Sequence, residues 1–196
     1  MEWLNLEVLE AIKRRRSIRS YTADEVTAEE LNVLLNAARW APSGCNKQPW
    51  RFVVVRKPRT IEKLYEAASY STQHQTFVKK APVVIVVCAD LDVYKRFVHR
   101  DLALSLNYIQ ETAAATQNLL LAACGLGLGA CWVGLFSKEQ VSKALNLPKN
   151  VRPMAIIPVG HTKSKTKPTP RKPLEEIVFY ESYGLLKQTE SLRGKA

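Results

Sequence analysis

Residues 112–136 read Thr-Ala-Ala-Ala-Thr-Gln-Asn-Leu-Leu-Leu-Ala-Ala-Cys-Gly-Leu-Gly-Leu-Gly-Ala-Cys-Trp-Val-Gly-Leu-Phe, twenty-five residues without a charge. A run of that length is long enough to cross a bilayer, and whether it does so decides the fold. Thr116, Gln117 and Asn118 place three consecutive polar side chains inside it, and glycines recur at 125, 127, 129 and 134, where a spanning helix would be interrupted. The run therefore predicts a buried core helix from about Asp101 to Cys124, a glycine turn, and a strand over Ala130–Leu135. A dinucleotide-binding glycine loop follows a strand and opens a helix, whereas these glycines follow a helix and open a strand, so they read as a helix C-cap and a close packing of backbones.

Thr27 and Glu30 form a capping-box pattern that opens a helix through Trp40, stopped by Pro42. Residues 50–56 predict a strand and Thr60–Ala68 a short helix. Val83–Ala89 is continuously apolar and largely β-branched, the pattern of a strand buried on both faces. Ser137 with Gln140 caps a further helix, and Pro153–Val159 gives the last core strand. After Gly160 the chain turns to Lys, Thr and Pro, an extended segment with no core of its own. Near the N-terminus, Leu4, Leu6, Val8, Leu9 and Ile12 repeat with helical period. The arrangement is α+β without internal repeats, and 196 residues suit a single domain over 1–196, with 161–196 an extended basic C-terminal segment.

Composition narrows the function. With 46% hydrophobic and 24% charged residues the chain is globular rather than disordered. Its net charge of +11 is local: residues 13–19 contribute five cations, and residues 161–196 carry eight cations against four acids. Nonspecific nucleic-acid binding suits such a charge, but two cationic segments flanking a neutral core also suit one small anionic ligand. Cys45, Cys88, Cys124 and Cys131 form no Cys-x-x-Cys pair and have no His at ligand spacing, so no metal site is expected and reduced thiols point to the cytoplasm. The start, Met-Glu-Trp-Leu-Asn-Leu-Glu, has acids where a secretion signal carries positive charge. His74, His99 and His161 lack an accompanying nucleophile pattern or carboxylate pair, so the chemistry is expected to belong to a cofactor.

Two stretches carry binding chemistry. Residues 41–50, Ala-Pro-Ser-Gly-Cys-Asn-Lys-Gln-Pro-Trp, set the neutral amides of Asn46 and Gln48 on a stiff turn: Pro42 and Pro49 fix φ, Gly44 permits positive φ, and Ser43 can bond the local backbone. Each amide offers a donor and an acceptor, as the edge of a flat heterocycle such as a flavin or pteridine requires. The plainer reading is an Asx-type turn between two elements. Residues 13–19, Lys-Arg-Arg-Arg-Ser-Ile-Arg, place planar guanidinium forks and the Ser17 hydroxyl where they match phosphate oxygens, against the plainer reading of cations capping a helix C-terminus.

Four pieces, in order, resemble the FMN-dependent nitroreductase family. They are Arg15-Arg16-Ser17-Ile18-Arg19-Ser20-Tyr21; Ala41-Pro42-Ser43 with Asn46 and Gln48-Pro49-Trp50; Ala113–Ala123 followed by Gly127-Leu128-Gly129-Ala130-Cys131-Trp132-Val133-Gly134; and Pro158-Val159-Gly160 with Arg171-Lys172-Pro173-Leu174-Glu175-Glu176. The resemblance runs from about residue 10 to residue 180. It implies a nitroreductase-like three-layer α+β fold with a central mixed β-sheet flanked by helices, in an intertwined homodimer. FMN would lie at the subunit interface in a site built from both chains, with segment 161–196 contributing to site and dimer.

Carried over by residue, the resemblance gives Arg15, Arg16 and Ser17 to the phosphate and ribityl chain, Arg171 to the phosphate, and Arg19 to the pyrimidine edge of the flavin. Pro42, Ser43, Asn46 and Gln48 face the ring system, and the backbone at Val133 and Gly134 passes beside it. Glu111 stands where the family leads us to expect an Asp, and residues 69–80 depart from its substrate-side loop. The implied activity is ping-pong: NADH or NADPH delivers hydride to flavin N5 and leaves, and a small-molecule electron acceptor such as a quinone or nitroaromatic follows, with Arg19 as electrostatic stabiliser and no catalytic side chain. The other readings are a flavin-binding or flavin-consuming protein without NAD(P)H reductase activity, and a basic nucleic-acid-binding protein. The latter lacks interleaved aromatic and basic residues, so neither a nucleic-acid nor a membrane partner is expected.

Overall fold

The computed structural model describes residues 7–69, 74–94 and 107–184. The chain divides into two compact units, Met1–Thr166 and Lys167–Ala196. The first holds five helices and four strands among the described residues: α1 (Val8–Arg14), α2 (Ala28–Arg39), β1 (Trp50–Val55), α3 (Pro58–Ala68), β2 (Val83–Asp90), α4 (Asn107–Gly125), β3 (Leu128–Ala130), α5 (Lys138–Leu145) and β4 (Val151–His161). The second contains a short 3-10 turn at Leu174–Glu176 and a Phe179–Tyr183 ring pair at 4.6 Å.

The helices start where their caps dictate. Thr27 Oγ1 accepts from the Glu30 N–H at 3.1 Å while a Glu30 carboxylate oxygen accepts from the Thr27 N–H at 2.8 Å, the reciprocal capping box. Ser137 Oγ accepts from the Gln140 N–H at 3.3 Å and opens α5. The helix expected from Thr60 starts two residues earlier because Pro58, with φ preset and no N–H to satisfy, occupies its first turn. In α4 the buried positions Thr112, Ala115, Thr116, Leu119, Leu120 and Ala123 follow the three-four spacing of a core-facing stripe. The expected segment 101–106 of that helix and the early part of the N-terminal amphipathic pattern, Leu4 and Leu6, lie outside the described residues.

The sheet order is β1-β2-β4-β3. Strand β2 is buried at every position except Asp90, as its unbroken apolar run predicts. Val83, Ile85 and Val87 pack into a cluster with Leu34 and Ala38 of α2 and Leu119 of α4, whereas Val84, Val86 and Cys88 pack with Ile61 and Leu64 of α3 and Val141 of α5. The three expected layers are thus α2 and α4, sheet, α3 and α5. Every pairing among the described strands is antiparallel, so in that respect the sheet departs from the mixed one expected. Connectivity explains the difference: β1 ends at Val55 beside Val84, where β2 begins, and β2 ends at Asp90 beside Val151, where β4 begins.

The strand expected over Ala130–Leu135 is instead Leu128–Ala130, with Val133 returning as an isolated bridge to Ile156. Pro158 breaks the ladder between them: its carbonyl accepts the Cys131 N–H at 3.4 Å, but it has no N–H to return. Gly127, at φ +73°, takes the left-handed conformation two residues past the end of α4, where the glycines were expected to cap the helix. No helix of the described residues is long and apolar enough to cross a membrane.

Candidate functional site

Beyond α1 the chain runs extended along the sheet edge. Ile18 donates its N–H to the Ala130 carbonyl at 2.9 Å and Thr22 to that of His161 at 2.8 Å. An extended backbone sends successive side chains to opposite sides. From Arg16 onward the alternation holds: Arg16 and Ile18 line one cleft, which Arg14 and Arg15 at the end of α1 also border, while Ser17 and Arg19 act on Cys131.

The cleft, about 430 Å³, is lined by Arg14, Arg15 and Arg16 and by Thr162, Ser164, Lys165 and Thr166, and no carboxylate of the described residues lines it. Arg14 is partly neutralised by Glu10, at 2.6 Å. Arg16 donates through Nη1 to the carbonyls of Lys13 and Arg15 at 2.6 and 2.7 Å, yet its buried Nε has no acceptor among the described residues. A buried donor without an acceptor costs about 1–3 kcal/mol. Guanidinium groups and hydroxyls in a cleft that no carboxylate of the described residues lines fit a phosphate. At its floor, burial pushes the Cys124 thiol up in pKa against the downward pull of the three guanidiniums, so the thiol stays neutral.

Burial raises the pKa of the Cys131 thiol against the lowering effects of Arg19 and Ser17. The Arg19 guanidinium lies 5.6 Å from the Phe77 ring centroid. Tyr21 anchors this stretch, donating to the Ile18 carbonyl at 2.8 Å and the Pro158 carbonyl at 3.3 Å.

The amide turn follows α2. Ser43 Oγ accepts from the Gln48 N–H at 3.0 Å, and the Gln48 side chain donates to the Asn46 carbonyl at 3.1 Å. Positive φ falls on Cys45 (52°), Asn46 (53°) and Gln48 (49°), not on Gly44 as the sequence suggested. Gly44 serves close approach instead. Its N–H donates to Glu111 Oε1 at 2.8 Å, and a Cβ there would sit 3.3 Å from that oxygen. The other Glu111 oxygen accepts from the Tyr94 hydroxyl. The sequence reading gave neither Glu111 nor Tyr94 a role, although it singled out Glu111 as standing where the family leads us to expect an Asp. Pro42, Ser43, Gly44, Asn107, Gln110 and Glu111 border a shallow pocket here.

Among the described residues the cationic cleft and the amide turn stand apart. Glu111, beside the turn, and Cys124, in the cationic cleft, are thirteen residues apart on α4, about 20 Å by helical rise. Val133 is bridged to Ile156, and the Trp132 indole packs over Gly134, its Nε1 3.8 Å from where a Cβ would stand. Arg171 belongs to the second unit.

The profile of the nitroreductase family matches residues 12–75 and 67–161. A protein of Methanothermobacter thermautotrophicus, named as an NADH dehydrogenase/NAD(P)H nitroreductase, is 39% identical over 80% of this chain and 78% of its own. The Bacillus subtilis FMN reductase (NAD(P)H) is 29% identical over 90% of this chain and 74% of its own. Among solved structures, a chain from Desulfovibrio desulfuricans, named as a nitroreductase and crystallised in complex with FMN, has TM-score 0.76 and 35% identity over 90% of this chain and 97% of its own. With the three-layer sheet, the four ordered sequence pieces and this coverage in agreement, the chain belongs to the nitroreductase family.

Proposed function

We propose that this protein is an FMN-dependent NAD(P)H oxidoreductase whose flavin sites are each completed by two chains of a homodimer. The observation that carries the reading is the gathering of Arg14, Arg15, Arg16 and Lys165 around one cleft that no carboxylate of the described residues lines. When bound, FMN supplies hydride chemistry at N5, with NADH or NADPH as donor and a quinone, nitroaromatic or related small molecule as acceptor in a ping-pong sequence. Arg15 and Arg16 hold the phosphate as charge-assisted donors, Ser17 adds a hydroxyl toward the ribityl chain, and the resemblance adds Arg171 to the phosphate set. Arg19 supplies a fixed cation at the pyrimidine edge, where negative charge gathers on reduction.

Pro42, Ser43, Asn46 and Gln48 set the amide turn against the ring of the neighbouring chain's flavin, and the Val133–Gly134 backbone bounds the site on the other side. The apolar face of α1, with Val8 69% and Leu9 71% exposed, gives the second chain a surface to cover. The test is binding of FMN against riboflavin. Arg16→Ala should weaken FMN about 10- to 100-fold, the loss of a charge-assisted contact, and leave riboflavin nearly unchanged because it has no phosphate. Equal losses for the two ligands would remove the phosphate assignment.

A further inference from the structure

Glu111 is a carboxylate only 7% exposed on the core-facing side of α4, and it acts as a hub. One oxygen takes the Gly44 N–H at 2.8 Å and the other takes the Tyr94 hydroxyl. Tyr94 meets the turn a second time, since Lys47 Nζ lies 5.0 Å from its ring centroid. Burial, and then the hydrogen bond to Glu111, push the Tyr94 hydroxyl well above its ordinary pKa, so it remains a donor across the working range.

The segment fixed in this way is strained. Cys45, Asn46 and Gln48 all hold positive φ without being glycine, a conformation that persists only where the surroundings impose it. Inside the turn, Ser43 Oγ and the Gln48 side chain supply local bonds. Glu111 supplies a bond from the turn's backbone to a long core helix, at the one residue whose missing Cβ lets the carboxylate approach.

We infer that Glu111, held by Tyr94, is a positioning residue: its buried carboxylate fixes the strained amide turn so that Asn46 and Gln48 are presented to the flavin ring. The inference rests on the FMN reading above. Its action is on the ring side, so it affects FMN and riboflavin alike, unlike the phosphate-side Arg16. It is also geometric. A Gln at 111 keeps an acceptor for Gly44 and turns a donor toward the Tyr94 oxygen, whereas Ala removes both.

The experiment measures FMN and riboflavin dissociation constants by flavin fluorescence on the full chain, together with thermal melting of the flavin-free protein. Glu111→Ala should weaken both ligands by the same factor, about 10-fold. Glu111→Gln should restore both to within about threefold of the unsubstituted chain. Tyr94→Phe, which removes one oxygen and conserves the ring, should give a smaller loss, again equal for the two ligands. A lowered melting temperature with unchanged affinities would make Glu111 a core residue only and overturn the inference, as would a loss confined to FMN. If Glu111→Ala does not fold, unchanged affinity in Tyr94→Phe overturns it. An unsubstituted chain that binds neither flavin overturns the FMN reading and this inference with it, whereas binding that ignores all three substitutions overturns this inference alone.

Discussion

At Gly129 a single missing methyl ties the fold to the cationic cleft. A Cβ there would fall 2.6 Å from Ile18 Cγ2 and 3.1 Å from Thr162 Cγ2, closer than packed carbons approach. Ile18 lies between Ser17 and Arg19 and lines the cleft with Arg16, so the residue that would be displaced is the one that sets the arginines. Gly129→Ala should therefore destabilise the protein by about 1–3 kcal/mol through overpacking. Urea denaturation measures this, and Ile18→Ala in the same chain should recover part of the loss, a non-additivity expected of touching side chains. Additive losses would show that the two residues do not press on each other.

Among the elements, β2 is the strand through which both faces of the core are held, and its single thiol gives it a pH signature. Cys88, fully buried at the register shift after Val87, has its pKa pushed up to about 12 from 9.0 by burial. In the folded state the thiol stays protonated while the unfolded chain ionises, so stability is fully present below pH 9 and falls as pH rises toward 12. At pH 10.5 the loss from this one group is about 2 kcal/mol. Denaturation at pH 8 and pH 10.5 should show Cys88→Ala losing less across that interval than the unsubstituted chain, and equal losses would contradict the assignment. The burial of β2 was legible because seven consecutive apolar residues leave no polar face, and α2 was legible because Thr27 and Glu30 announce its cap. Sheet direction was not legible, since no local pattern records which end of a strand a long connection returns to. The early stop of β3 was hidden in Pro158, a residue of the partner strand. Of the site, the arginine cluster and the amide turn stood out as local composition. The clamp from Glu111 to Gly44 spans sixty-seven residues and only the fold reveals it.

Two features of the described residues suit a partner chain. The cationic cleft and the amide turn lie at opposite ends of α4, and α1 presents Val8, Leu9 and Ile12 outward. The proposed twofold homodimer would answer both. Sedimentation should find a dimer, and a stable monomer that holds FMN with full affinity would contradict a site built from two chains. The proposed activity is tested most directly by anaerobic half-reactions on the FMN-loaded protein. NADH or NADPH alone should bleach the flavin absorbance, and a quinone or nitroaromatic added afterwards should restore it in a separate step. Flavin that is bound yet remains unbleached by either nicotinamide would contradict the oxidoreductase account and leave a protein that binds FMN without using it.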